Sequence, residues 1–220
     1  MNKRGKLIVI EGTDGSGKKT QTQLLIKKLK EEGRGIFTFS FPQYGKKSAG
    51  PIEEYLAGRY GKSDSVDPYV ASVLYAVDRF DVSQKIQASL NKGETGILDR
   101  YTDSNIGHQG GKISDPQERA KFAEWDYNLE YAILKIPKPD LVIILRVPAE
   151  LAQKLALQRG AGDGHEVDLN HLKNAEAAYL WLANRNPENH KVIDCVKNNK
   201  LLSPEEIGLK VYEMVKDVLN

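Results

Sequence analysis

The chain has 220 residues, 32 basic and 30 acidic, for a formal net charge of +2. That length suits one α/β domain with a full core, and the balanced charge offers no footprint for DNA or RNA. One cysteine, Cys195, excludes an internal disulfide framework, and the apolar runs Leu7–Ile10 and Leu141–Leu145 are too short for a secretory signal or a bilayer span. A cytoplasmic protein with no membrane contact is expected.

In chain order, Lys6–Ile10 reads as a buried strand because its apolar residues are nearly continuous, as in a sheet covered on both faces. A glycine-rich turn follows, then a helical pattern from Gly17 to Glu32 that Gly33 stops. Ile36–Phe41 is a second strand, and Gln43–Gly50 shows no clear structure. Asp67-Pro68 opens a long helix to about Leu90, Thr95–Leu98 is a third strand, and Asp115-Pro116 with Glu118 opens another helix. Leu141–Val147 is a fourth strand, and Pro148 starts a helix that runs toward the loop sequence RGAGDGHE, Arg159–Glu166. Lys191–Cys195 is a fifth strand, and Ser203-Pro204-Glu205-Glu206 opens the last helix. Asp67, Asp115 and Ser203 are capping residues with proline at the first helical position; the last two also place Glu third. The alternation predicts a doubly wound α/β fold with five parallel strands flanked by helices.

The first strand runs into Gly12-Thr13-Asp14-Gly15-Ser16-Gly17-Lys18, the strand–loop–helix setting of a P-loop. Glycines let successive backbone N–H groups converge on a phosphate, and the helix N-terminus adds partial positive charge. Lys18 reaches the β- and γ-phosphates as a point charge. The next position, where a P-loop carries Ser or Thr for Mg²⁺, is Lys19. Thr20 is not a simple replacement, since one residue turns a helical side chain by about 100°. Mg²⁺ is then held by other groups, waters and phosphates, or Lys19 neutralises phosphate charge, or the site binds nucleotide without turnover. The first two together fit the other motifs.

Glu11–Lys18, Phe41-Pro42, Asp99-Arg100-Tyr101 and Pro137-Lys138-Pro139-Asp140-Leu141 together resemble the thymidylate kinase family in order and spacing over the whole chain. The resemblance implies one P-loop NTPase-type kinase domain over 1–220, with the phosphate loop at 12–20 and a short lid at about 158–166. Gly12 to Lys18, with Lys19 and Thr20, would bind ATP, and Asp99 would work with Mg²⁺ and its water. Arg100 would bind the acceptor phosphate and steady developing charge, a role two polyanions brought together require of a fixed cation. Arg159 is the arginine available as the lid cation. Tyr75 and Arg79 share a helix face at i, i+4. By resemblance Tyr75 stacks on the base of the monophosphate and Arg79 donates to a base carbonyl. Ser104, Asn105, His108 and Gln109 would face base and ribose, with His108 where the family places another aromatic. Asp14 would meet the 3′-hydroxyl of the acceptor, and Phe41 and Pro42 would line its site. After Phe-Pro the family often supplies an arginine; this chain has Gln43 and Tyr44, so Lys46 and Lys47 substitute or Arg100 carries more of the task. Cys195 and the following Val196-Lys197-Asn198 would border the adenine.

The expected reaction is phosphorylation of dTMP by ATP with Mg²⁺, in a homodimer built on the long helix. Two alternatives stay open: a kinase for another deoxynucleoside monophosphate, suggested by His108, and a nucleotide-binding protein with little turnover, suggested by Lys19.

Overall fold

The computed structural model describes residues 3–62, 64–158, 168–198 and 200–219. Five strands form one parallel sheet: β1 Leu7–Glu11, β2 Ile36–Ser40, β3 Thr95–Asp99, β4 Leu141–Arg146 and β5 His190–Asp194, in the order β2-β3-β1-β4-β5. Each lies within a residue or two of the position its apolar run predicts. β1 is central, with Ile8 opposite Ile97 of β3 on one side and Leu141 of β4 on the other.

Alternate residues of β1 point to opposite faces. Ile8 and Ile10 pack with Leu25 and Leu29 of helix α1 (Lys18–Glu31) and with Val211 and Val215 of α8 (Pro204–Leu219). Leu7 and Val9 pack with Val82, Ile86 and Leu90 of α3 (Pro68–Asn91), and with Tyr179 and Ala183 of α7 (Leu169–Arg185). Covering both faces is why the strand reads as an unbroken apolar run.

The predicted caps are present. Asp67 accepts from the Tyr69 amide at 2.8 Å, and Asp115 from the Gln117 amide at 2.7 Å at the start of α5 (Pro116–Tyr127). Ser203 and Glu206 form a reciprocal capping box, the Ser203 amide donating to Glu206 at 2.7 Å and the Glu206 amide to Ser203 at 3.2 Å. The helix after Pro148 is α6 (Ala149–Gln158).

Other elements depart from the sequence reading. The stretch after β2 is structured: a 3₁₀ turn at Lys47–Ala49 leads into α2 (Gly50–Leu56). The Gln43 amide donates to Asp78 at 2.8 Å and its side-chain nitrogen to the Asp78 carbonyl at 3.0 Å, so α3 pins this connection. A short helix, α4 (Asp103–His108), follows β3, and α5 continues into a π-helical turn at Asn128–Ile133. Helix α7 is capped by Asp168, which accepts from the amides of Asn170 and His171. A two-stranded hairpin, β6 (Val196–Lys197) with β7 (Lys200–Leu201), follows β5. Among the described residues no helix is long and apolar enough to cross a membrane.

Candidate active site

Open parallel sheets bind ligands beyond the carboxyl ends of their strands. Here that edge carries a cleft of about 560 Å³. Six segments line it: the loop after β1 with the start of α1, the turn after β2, Leu56 at the end of α2, one face of α3, the end of β3 with α4, and His171 of α7.

The β1 loop has the conformation a P-loop needs. Gly12, Gly15 and Gly17 all have positive φ. At Gly15 a Cβ would lie 2.5 Å from the Ala152 carbonyl oxygen of α6, so both conformation and space require glycine. Lys18 is buried and donates to the carbonyls of Gly12 at 3.0 Å and Thr13 at 2.8 Å. Burial, and next the charge of Arg100, push its ammonium down to about 8, against the pull of Asp14, Asp99 and Glu11. Thr13 and Ser16 are buried within the loop. Asp14, Gly15, Gly17, Lys19 and Thr20 line the cleft with Lys18.

Arg100 follows β3 with φ 66°, a left-handed backbone unusual for a non-glycine residue. Its amide donates to the Ile10 carbonyl at 3.0 Å, joining the turn to β1. Its guanidinium pairs with Asp14 and donates to His108 Nε2 at 2.8 Å. Burial alone would raise the Asp14 carboxyl, but Arg100 and then Lys18 outweigh it and hold it well below the usual carboxylate range. Asp99 lines the cleft beside Arg100.

Glu11, to which the sequence reading gave no role, joins these two segments. It is fully buried and accepts from the Tyr101 amide at 2.7 Å, Ser104 Oγ at 2.8 Å and Tyr179 OH at 2.9 Å. Burial, with Asp103 adding, pushes its carboxyl up to about 7; Arg100, the Tyr101 amide and Ser104 oppose this.

At the far end, Phe41, Pro42, Tyr75, Arg79, Asn105 and Gln109 line the cleft. Arg79 is buried at 1 % exposure and its Nε donates to Glu130 at 2.8 Å, while Nη1 donates to the Tyr101 carbonyl at 3.3 Å. A buried guanidinium needs such a partner, so the predicted base-reading arginine is first a buried ion pair whose edge reaches the cleft. Glu130 sits on the π-helical turn. Asn105 Nδ2 donates to Asp126 at 2.9 Å and to the Ser72 carbonyl at 3.2 Å. Gln109 is 4 % exposed and its Oε1 has no partner among the described residues. His171 of α7 also lines the cleft and was not anticipated.

Some expectations fall elsewhere. Lys46 and Lys47 do not line the cleft, and Gln43 is committed to Asp78; the cations among its lining residues are Lys18, Lys19, Arg79 and Arg100. Cys195 is buried in the core beside α8, its thiol pushed up to about 12 by burial, and does not line the cleft. Arg159 and the lid expected at about 158–166 lie outside the described residues, beyond the end of α6.

The donor set fits Mg²⁺ of the kind that keeps its waters and binds through one carboxylate and substrate phosphates. Asp99 offers that carboxylate, whereas Glu11 is buried away from the cleft and already accepts from three protein donors. No cluster of three or more His, Cys, Asp or Glu that would enclose a cation occurs among the described residues.

A phosphate loop on the central strand, a lysine within it and a second cation at the neighbouring strand end define a P-loop phosphotransferase. Comparison with known proteins narrows this. Residues 10–206 match the family described as Thymidylate kinase. The chain is 35% identical over 184 residues to a thymidylate kinase of Mycobacterium tuberculosis strain H37Rv, covering 80% of this chain and 85% of that one. It is 33% identical over 213 residues to a probable thymidylate kinase of Pyrobaculum aerophilum, covering 96% and 97%. A solved thymidylate kinase from Candida albicans superposes with a TM-score of 0.76 over 99% of this chain and 94% of that one; at 24% identity it speaks to the fold alone. The chain belongs to the thymidylate kinase family, and with it to the ATP-dependent phosphotransferases.

Proposed function

We propose that the protein transfers the γ-phosphoryl group of ATP to dTMP, giving dTDP and ADP. The observation that carries this reading is one cleft lined together by Lys18 of the phosphate loop, Arg100, and Tyr75 and Arg79 of α3. A phosphate oxygen of dTMP attacks the γ-phosphorus, a new P–O bond forms, and the bond to the β-phosphate oxygen breaks as ADP leaves. The protein's part is positioning and charge stabilisation. Lys18 and the loop amides hold the ATP phosphates, with Lys19 supplying charge beside them. Arg100 holds the acceptor phosphate next to the γ-phosphate, and Asp14 orients both Arg100 and the acceptor sugar. Mg²⁺, bound through Asp99, would neutralise phosphate charge.

Tyr75 offers a ring face to the base. Arg79, Asn105 and Gln109 meet its edge. Phe41 and Pro42 line the acceptor site, and Ser104 and His108 border the ribose. We further propose that residues 1–220 act as one kinase domain whose lid at about 158–166 brings in Arg159. The setting is cytoplasmic, consistent with the lone buried thiol. We also propose a homodimer through α3, whose Val70, Val73, Val77 and Phe80 form a stripe between 40% and 56% exposed.

Activity with ATP, Mg²⁺ and a panel of nucleoside monophosphates tests the reading. The expected result is a kcat/KM for dTMP at least tenfold above the other acceptors. Preference for another monophosphate would reassign the substrate, and ATP binding without ADP formation from any acceptor would remove the kinase reading.

A further inference from the structure

Arg100 is held from two sides. One is Asp14 on the phosphate loop; the other is His108, the last residue of α4, whose Nε2 lies 2.8 Å from Arg100 Nη1. His108 Nδ1 lies in turn 3.1 Å from Nε2 of His171, in the first turn of α7. The two rings are within 20° of parallel with centres 5.4 Å apart, so they meet nitrogen to nitrogen along their edges. Tyr179 packs perpendicular to His108, its ring centre 5.9 Å away.

A guanidinium donates and never accepts. His108 Nε2 must therefore present a lone pair, and the neutral ring carries its proton on Nδ1. That N–H donates to His171, whose Nε2 is then also a lone-pair nitrogen, with its proton on Nδ1. One direction of donation runs from Arg100 through both rings. Burial, and then the charge of Arg100, push His108 protonation well below the usual histidine range, which agrees with a neutral ring.

We propose that His171 is a positioning residue for phosphoryl transfer: through His108 it fixes one imidazole tautomer and thereby the direction of the Arg100 guanidinium. This rests on the reading of Arg100 as the cation that faces the phosphates. Without the His171 acceptor, the His108 proton is free to move to Nε2, where it would point at an Arg100 N–H. Arg100 would then lose one of its two supports. Phosphoryl transfer depends on donors aimed at fixed places, so a small rotation is felt in rate more than in ATP affinity.

His171→Phe keeps an aromatic ring and removes the acceptor; His171→Gln restores an acceptor oxygen at similar reach. The Phe variant is expected to lower kcat about tenfold with KM for ATP within about twofold of wild type, and the Gln variant to recover most of the rate. Imidazole ¹⁵N shifts should show His108 protonated on Nδ1 in the wild type and the Gln variant, and shifted toward Nε2 in the Phe variant. Wild-type kcat in the Phe variant, or an Nε2-protonated His108 in the wild type, overturns the proposal. The ¹⁵N readout needs no turnover and, taken on the wild type, no variant. Expected tautomers together with full activity in Arg100→Ala would therefore sink the role given to Arg100 and leave the hydrogen-bonded chain standing.

Discussion

Lys18 and Arg100 are the side chains whose removal should be felt most. Each is a fixed cation in a largely dry site, where one well-aimed donor contributes about 3–4 kcal/mol to a transition state. Lys18→Ala and Arg100→Ala are each expected to lower kcat at least tenfold, about 1.4 kcal/mol or more; an unchanged rate in either variant removes that residue from the reaction. Lys19 is exposed at the second position of α1 and lines the same cleft. Lys19→Ser should therefore preserve or strengthen the dependence on Mg²⁺, and a complete loss of activity would show a direct phosphate role for the ammonium. Residues carried by contiguous motifs were legible in sequence. Asp14, Gly15, Gly17 and Lys18 of the phosphate loop, the Asp99-Arg100 pair and the Tyr75–Arg79 face all line one cleft. Glu11, Glu130 and His171 were not legible as site residues, because their meaning is in their partners. Glu11 meets Tyr179 across 168 positions, and His171 meets His108 across 63. No local pattern encodes such a meeting.

Elements were readable where a cap and a period agree. Asp67-Pro68, Asp115-Pro116 and Ser203-Pro204 announced α3, α5 and α8, and continuous apolar runs announced all five strands. Helix α7 was missed although Asp168 caps it and Leu172, Ala175, Tyr179 and Leu182 recur at helical spacing on its buried face. Three of its buried residues are alanines, a weak apolar signal in sequence that nonetheless permits close packing. Helix α4 is six residues long, too short for a period to show, and tertiary contacts define it. One such contact has a measurable signature. His190 of β5 lies 2.7 Å from Asp103 of α4 through Nε2 and 2.7 Å from Asn189 Oδ1 through Nδ1, so both ring nitrogens face oxygens. Burial opposes the charged ring, but the hydrogen bond and charge of Asp103 win and raise its protonation range. The folded state therefore holds a proton that the unfolded chain, titrating near 6.5, releases first. The stabilisation is full below about pH 6.5 and fades as pH rises through the higher folded value. Urea unfolding across pH 5.5 to 9 should show wild type losing stability relative to His190→Gln as pH rises; parallel curves for the two proteins would refute the ion pair.

At the scale of the molecule, α3 carries four exposed large hydrophobic residues among the described ones, Val70, Val73, Val77 and Phe80. Their spacing, i, i+3, i+7 and i+10, puts all four side chains on one face. A two-fold axis passing through such a face needs no other partner. Phe80→Glu would bury like charges against each other in that arrangement. It should convert the dimer to monomer in sedimentation, and a wild-type protein that sediments as a monomer would end the idea. Phe80 is also one position from the buried Arg79, so loss of dimerisation is expected to raise KM for the monophosphate as well.

The phosphate loop grows from β1, the central strand of the five, which is packed into both halves of the core. A ligand gripping that loop holds the centre of the sheet rather than a peripheral flap. Its binding energy is thus felt by the entire cooperative structure, as RT ln(1 + [L]/Kd). The melting temperature becomes a gauge of occupancy, and ATP or ADP titrated into the protein can be followed by heat alone, without any turnover.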